Sequence, residues 1–159
     1  NFGERQHPEK LIPLSILQLL QSKEIPVYGD GKNVRDWIYV KDNCKCIYSL
    51  IKKSNYGQSY LIGSNNEISN IKMVKKIIAI FKTISNTRVS NKGYKFVTDR
   101  KGHDFRYAIE NKKLLKLIEI NFSNFDQKLK NTIKFYLKNY ILYKKKLNEK
   151  WLKKKIENY

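Results

Sequence analysis

Between Asp99 and Ile109 the sequence reads DRKGHDFRYAI, which sets three cations, two carboxylates and two aromatic rings within eleven residues. Solvated surface seldom has that mixture. A second run, GDGKNVRDWIYV from Gly29 to Val40, places Arg35 between a tight GDG turn and a string of aromatic and β-branched residues. Guanidinium groups offer planar forks of N–H donors to paired oxygens, and aromatic faces stack on rings. The two runs therefore read as two arms of a site for an anionic, ring-bearing ligand of the nucleotide-sugar kind.

Other constellations carry less chemistry. GDG at Gly29 to Gly31 lacks the G-x-G-x-x-G spacing, and no strand runs into a Gly-rich phosphate loop, so a nicotinamide-type fingerprint is absent from the sequence. Tyr140 and Lys144 match a Tyr-x-x-x-Lys pair in letters, but they fall in a terminal Lys-rich helix and are not read as catalytic. Cys44 and Cys46 lie two apart in an expected helix, where side chains point about 200° apart. Two buried or half-buried thiols are expected there, not a disulfide or a metal pair.

With 159 residues, 41% of them hydrophobic, the chain can bury one apolar core. No window approaches the roughly 18 to 20 apolar residues of a membrane span, and no secretory signal opens the sequence, so a cytoplasmic location is expected. The formal net charge of +19 invites a nucleic-acid reading. Its make-up argues otherwise. Only five of the 33 cationic residues are Arg, and from Asn111 onward 14 Lys face four acids, the pattern of hydrated helix faces.

Hydrophobic spacing lays out the elements that must hold the two arms. A helix is expected from about Pro13, and short strands over Ile25 to Tyr28, Val34 to Val40 and Ser59 to Ile62. Asp42 is expected to cap a helix to about Lys53, and Ser69 the next one, whose stripe is Ile71, Val74, Ile77, Ile78 and Phe81. A strand over Tyr94 to Thr98 delivers the chain into DRKGHDFRY. A short helix near Lys112 to Ile118 and a long one from about Asp126, with stripe Leu129, Ile133, Leu137, Tyr140 and Ile141, complete an α/β order. The Lys-rich helical end covers about 123–159.

Taken in order, NFGERQHPEKLIPL, IPVYGDGKNVRDWIYVKD, YLIGSNNEISN and VTDRKGHDFRYAIENKK resemble the C-terminal half of the dTDP-glucose 4,6-dehydratase family, in the extended short-chain dehydrogenase/reductase superfamily. The likeness spans the chain to its ending, WLKKKIENY. YGDGxxxRDWIYVxD is shared by many nucleotide-sugar epimerases and dehydratases, whereas PEKLIPL and DRxGHDxRYAI are narrower. The resemblance implies an α/β substrate-binding portion of an extended short-chain dehydrogenase/reductase over residues 1–159, with the N-terminal Rossmann portion outside this chain. It implies NAD as cofactor, dTDP-glucose as substrate, a homodimer as the intact protein and no membrane or nucleic-acid partner. Enzymes of the family oxidise the glucose C4 hydroxyl with NAD, eliminate water across C5 and C6 and return the hydride to C6. Their carboxylates, Tyr and Lys precede the stretch that resembles this one, so the chain alone is expected to be inactive.

By the same resemblance, Asn1 sits beside the nicotinamide end of the cofactor. Lys10 and Leu11 contact substrate, Pro26, Val27 and Tyr28 line the thymine and deoxyribose pocket, Arg35 and Asn70 hold the diphosphate, and Asp99, Arg100, Lys101, Gly102 and His103 close over the nucleotide. The residue types suit those roles: Arg35 and Arg100 supply forks, Tyr28 a flat face, Gly102 room for close approach, and Asn70 the start of a helix, where free N–H groups favour an anion. Blander readings stand beside these. Arg35 with Asp36 makes a strand-edge ion pair; Tyr28 is core; Asn70 only starts a helix; His103 hydrogen-bonds nearby backbone; Arg106 and Tyr107 pack on the opposite strand. Two departures from the family pattern are Lys101, in place of a Pro, and Glu4-Arg5, in place of a Gly-Pro-like step. Other readings of the whole are another NAD-dependent nucleotide-sugar epimerase or dehydratase, or a non-catalytic basic binding remnant.

Overall fold

The computed structural model describes residues 1–147, with side chains as far as residue 144; the WLKKKIENY ending lies outside the described residues. Its elements, in order, are α1 (Leu11–Leu20), β1 (Ile25–Tyr28), β2 (Val34–Asp36), α2 (Val40–Lys53), β3 (Glu67–Ser69), α3 (Asn70–Ile84), β4 (Tyr94–Val97), α4 (Lys112–Leu117), α5 (Phe125–Lys138) and α6 (Tyr140–Leu147). The α/β expectation holds. The strands pair as two separate ribbons: β1 runs parallel to β4, with Val27 opposite Phe96, and β2 antiparallel to β3, with Arg35 opposite Ile68.

Helix α1 explains its own apolar density: Ile12 through Leu19 are all buried, because α3, α5 and β1 pack around it. It starts before Pro13, which stands in the first turn, where a missing N–H costs nothing. Ile16, Leu17, Ile25, Met73, Phe81, Leu129, Ile133 and Tyr136 form the main core with Phe2; each such side chain contributes about 1.5–3 kcal/mol by burial. A smaller cluster gathers Cys46, Leu114 and Ile118.

Several expectations change. The strand from Val34 ends at Asp36; beyond it Phe2 bridges Tyr39, its N–H donating to the Ile38 carbonyl at 2.9 Å while Val40 N–H donates to the Phe2 carbonyl at 2.8 Å. Tyr39, not Asp42, precedes α2. Asp42 is buried and accepts from Ser123 N–H at 2.8 Å and Ser123 Oγ at 2.9 Å, tying α2 to the stretch before α5. Ser69 does stand at the start of α3, without a side-chain capping bond.

No strand forms over Ser59 to Ile62. β2 pairs with Glu67–Ser69 on one side and bridges Arg106 on the other, so neither edge is left for it. The long terminal helix is two helices, parted at Asn139, and α5 is capped by Asn124, whose Oδ1 accepts Gln127 N–H at 2.9 Å. Asp126 instead pairs with Lys76 at 2.7 Å. Ile141 leaves the expected stripe and is 77% exposed, while Tyr136, two turns before Tyr143, is fully buried and donates to the Gln6 carbonyl at 2.7 Å. Cys46 is buried, its thiol pushed up by desolvation, but Cys44 is exposed on the opposite side of α2. Among the described residues no helix is long and apolar enough to cross a membrane.

Candidate functional site

A cleft of about 460 Å³ opens between the start of α1, the ends of β1 and β2, and the loop after β4. Asn1, Lys10, Leu11, Pro26, Tyr28, Arg35, Asn70, Arg100 and His103 line it. Nine residues singled out from the sequence, scattered from Asn1 to His103, therefore meet at one cavity. Gln6, Glu9, Leu14, Asp36 and Trp37 complete the lining. Two of these carried a readable signal: Trp37 lies two residues from Arg35, on the same side of extended chain, and Leu14 one helical turn from Lys10 and Leu11. Asp36 and Gln6 gave none.

Four of the expected residues stand apart from the lining. Val27 points into the main core, 1% exposed, since strand alternation sends it away from the side of Pro26 and Tyr28. Asp99 turns its carboxylate toward Gly29 and the His103 ring. Lys101 and Gly102 are exposed at the loop tip, where a Cβ on Gly102 would meet nothing.

The loop is organised by charge. His103 Nδ1 lies 2.6 Å from Asp99 Oδ1 and Nε2 lies 3.1 Å from Arg100 Nη2. Guanidinium can only donate, so Nε2 accepts and Nδ1 carries the proton donated to Asp99. That bond, with the Arg100 N–H at 2.8 Å, holds the Asp99 carboxyl below the usual carboxylate range. His103 is thus engaged by side chains as well as by backbone, its ring 6.0 Å from that of Tyr28 in edge-on contact.

Arg35 and Asp36 do not pair with each other. Arg35 Nη1 donates to the Val34 carbonyl at 2.6 Å and Nη2 to the Asp104 carbonyl at 2.8 Å. The Asp36 carboxylate accepts from Ser64 N–H and Oγ, each at 2.8 Å, and from Asn66 N–H at 2.9 Å, fastening the loop that leads into β3. Arg106 grips Glu67 on β3 through two bonds of 2.9 and 3.0 Å, the cross-strand packing expected of it. At the N-terminal side, Arg5 occupies the left-handed region at φ 67, where the family pattern has its Gly-Pro-like step. Glu4 is held by the Tyr39 hydroxyl at 2.9 Å.

The arrangement offers cations at Lys10, Arg35 and Arg100, an aromatic wall at Tyr28 and Trp37, and the first residue of α3 at Asn70. It can bind and orient an anion carrying a ring. Among the described residues no group of three or more His, Cys, Asp or Glu is placed to hold a metal ion.

Comparison with known proteins places this geometry. The sequence profile of a family described as GDP-mannose 4,6 dehydratase matches residues 1–129. The chain is 39% identical over 145 residues to the dTDP-glucose 4,6-dehydratase of Neisseria gonorrhoeae, a match covering 87% of this chain and 42% of that protein. Among solved structures, the dTDP-glucose 4,6-dehydratase of Bacillus anthracis in complex with NAD superposes with a TM-score of 0.78 at 41% identity, over 87% of this chain and 42% of that one. The dTDP-glucose 4,6-dehydratase of Streptomyces venezuelae with NAD and TYD bound gives 0.80 at 34% identity, with the same coverage of 87% and 42%. The chain thus spans less than half the length of the relatives it matches.

Proposed function

The chain belongs to the GDP-mannose 4,6-dehydratase family, and we propose that it is the nucleotide-sugar-binding part of an NAD-dependent dTDP-glucose 4,6-dehydratase, a lyase converting dTDP-glucose to dTDP-4-dehydro-6-deoxy-glucose and water. The observation that carries this is the single cleft that gathers Tyr28, Arg35, Asn70, Arg100 and His103 from four separated segments, in a chain 39% identical to such a dehydratase. On this reading Tyr28 and Pro26 wall the thymine, Arg35 and Asn70 take the diphosphate, and the Asp99 to His103 loop closes over the nucleotide. Lys10 and Leu11 reach the sugar side, and residues 1–159 act as one substrate-binding unit.

The cleft's edge also suits a cofactor. Asn1 lies at the cleft with its carbonyl held by Gln6 Nε2 at 2.7 Å, and Gln6 Oε1 is buried with no hydrogen-bond partner among the described residues. Asn1 and Gln6 would thus face the nicotinamide end of NAD, which when bound supplies the hydride acceptor and donor. This chain's own residues bind and orient the nucleotide-sugar; the acid, base and Tyr–Lys chemistry belongs to the rest of the family's fold. The 159-residue chain alone is then inactive, and the intact enzyme is a cytoplasmic homodimer.

Calorimetric titration with dTDP and UDP tests the proposal. Binding of dTDP in preference to UDP, weakened about 10- to 100-fold by Arg35→Ala, supports it, since hydrogen bonds to charged groups are worth about 1.5–3 kcal/mol. Preference for UDP would assign the cleft to another nucleotide-sugar dehydratase or epimerase. Absence of nucleotide binding, together with steeply salt-dependent DNA binding untouched by Arg35→Ala, would make the protein a basic binding module instead.

A further inference from the structure

The fork of Arg35 is useful only if it is held, and the segment after the loop holds it. Residues 104 to 107 run alongside β2: Val34 N–H donates to the Phe105 carbonyl at 2.8 Å and Tyr107 N–H donates to the Val34 carbonyl at 3.1 Å. Asn33 Nδ2 fixes the same segment through the Asp104 carbonyl at 3.2 Å. That register brings the Tyr107 ring against Arg35, with Cζ 4.6 Å from the ring centroid. The Tyr107 hydroxyl donates to the Asp104 carboxylate, which fixes the ring's far end. Arg106 locks the segment from the other side through Glu67.

Arg35 is therefore restrained in three directions. Carbonyls of Val34 and Asp104 take one N–H from each terminal nitrogen, and Tyr107 covers one face of the plane. A guanidinium carries five N–H donors, so donors remain for the cleft that Arg35 lines. Restraint before binding removes the ordering cost of a long, rotamer-rich side chain. We infer that Tyr107 is a positioning residue that presents the Arg35 fork to the phosphates, an inference resting on the nucleotide-sugar reading above. The bond to Asp104, and after it desolvation, push the phenol up, so the ring keeps its neutral, hydrogen-bonded form at ordinary pH.

The test titrates dTDP and thymidine into the unsubstituted protein, Tyr107→Phe, Tyr107→Leu, Arg35→Met and the double variant Tyr107→Leu/Arg35→Met. Tyr107→Leu is expected to raise the Kd for dTDP about two- to five-fold, the size of an exposed cation–π contact, and to leave thymidine binding unchanged. Tyr107→Phe keeps the ring and stays within about two-fold of the unsubstituted protein. In the Arg35→Met background Tyr107→Leu has no further effect, since the two act through one contact. Equal losses for dTDP and thymidine, or full additivity with Arg35→Met, overturn the positioning role while dTDP binding by the unsubstituted protein keeps the nucleotide-sugar reading intact. No dTDP binding by the unsubstituted protein overturns that reading and the inference with it.

Discussion

The Arg100 guanidinium lies over the Tyr28 ring, its Cζ 4.6 Å from the centroid, while Nη2 of the same group donates to His103 Nε2 at 3.1 Å. The cation thus covers one face of the ring that, on the proposed reading, walls the thymine. Arg100→Ala is expected to raise the Kd for dTDP about three- to ten-fold, less than Arg35→Ala because Arg100 is exposed and screened. Thymidine, which needs only the ring face, should bind no worse. Titration of both ligands decides it; a thymidine Kd that rises as much as that of dTDP would show that Arg100 merely shapes the pocket.

The turn behind Tyr28 depends on Gly31. At φ +70 it lies in the left-handed region, and a Cβ there would stand 2.7 Å from Val27 Cγ1 and 2.8 Å from Ile71 Cβ. Gly57 has a similar φ of +75 but open space around it. Gly31→Ala therefore adds a collision to the backbone strain, whereas Gly57→Ala meets the strain alone, about 1 kcal/mol. Denaturant unfolding should show Gly31→Ala destabilised by at least about 1 kcal/mol more than Gly57→Ala. Equal losses would mean that Val27 and Ile71 yield freely.

These two glycines also show where sequence reading reaches its limit. GDG announced a turn, but not that it abuts the first turn of α3, since that contact crosses forty residues. Nine of the residues lining the cleft are legible because charge, ring and spacing are local properties and the family pattern fixes their order. The family pattern groups Val27 with its neighbours, although strand alternation alone points it into the core. The roles of Asp42 and Asp36 were not legible. Each looks like a cap or an ion-pair partner in sequence, and each is taken by a distant Ser, Ser123 and Ser64 respectively. The expected strand at Ser59 to Ile62 had the right residue types, yet a strand exists only where a neighbour accepts its bonds.

Asn111 fastens the loop just beyond that stretch. Only 2% exposed, it donates from Nδ2 to the Gly63 carbonyl at 2.7 Å and accepts at Oδ1 from Asn65 Nδ2 at 3.3 Å. Asn111→Ala leaves the Gly63 carbonyl without that donor, a loss of about 1–3 kcal/mol. Asn111→Asp sets a carboxylate against the carbonyl and should cost more. Thermal unfolding measures both, and a melting temperature unchanged in Asn111→Ala would show that water replaces the amide at no cost.

Alkaline stability should depend on Tyr39. Burial, then the hydrogen bond to Glu4 and the Glu4 charge, push its phenol from 10.0 up to about 12. Burial also pushes Tyr136 up strongly. The folded state holds these protons more tightly than the unfolded chain, so their contribution is full below about 10 and is lost as pH rises toward 12, the unfolded chain losing its protons first. A comparison with Tyr39→Phe isolates this phenol, because the two proteins share every other group. The stability of the unsubstituted protein relative to Tyr39→Phe should decline steadily across that window. Denaturant midpoints at successive pH values read the difference directly, and a difference constant with pH would mean that the Tyr39 hydroxyl ionises as readily in the fold as in the unfolded chain.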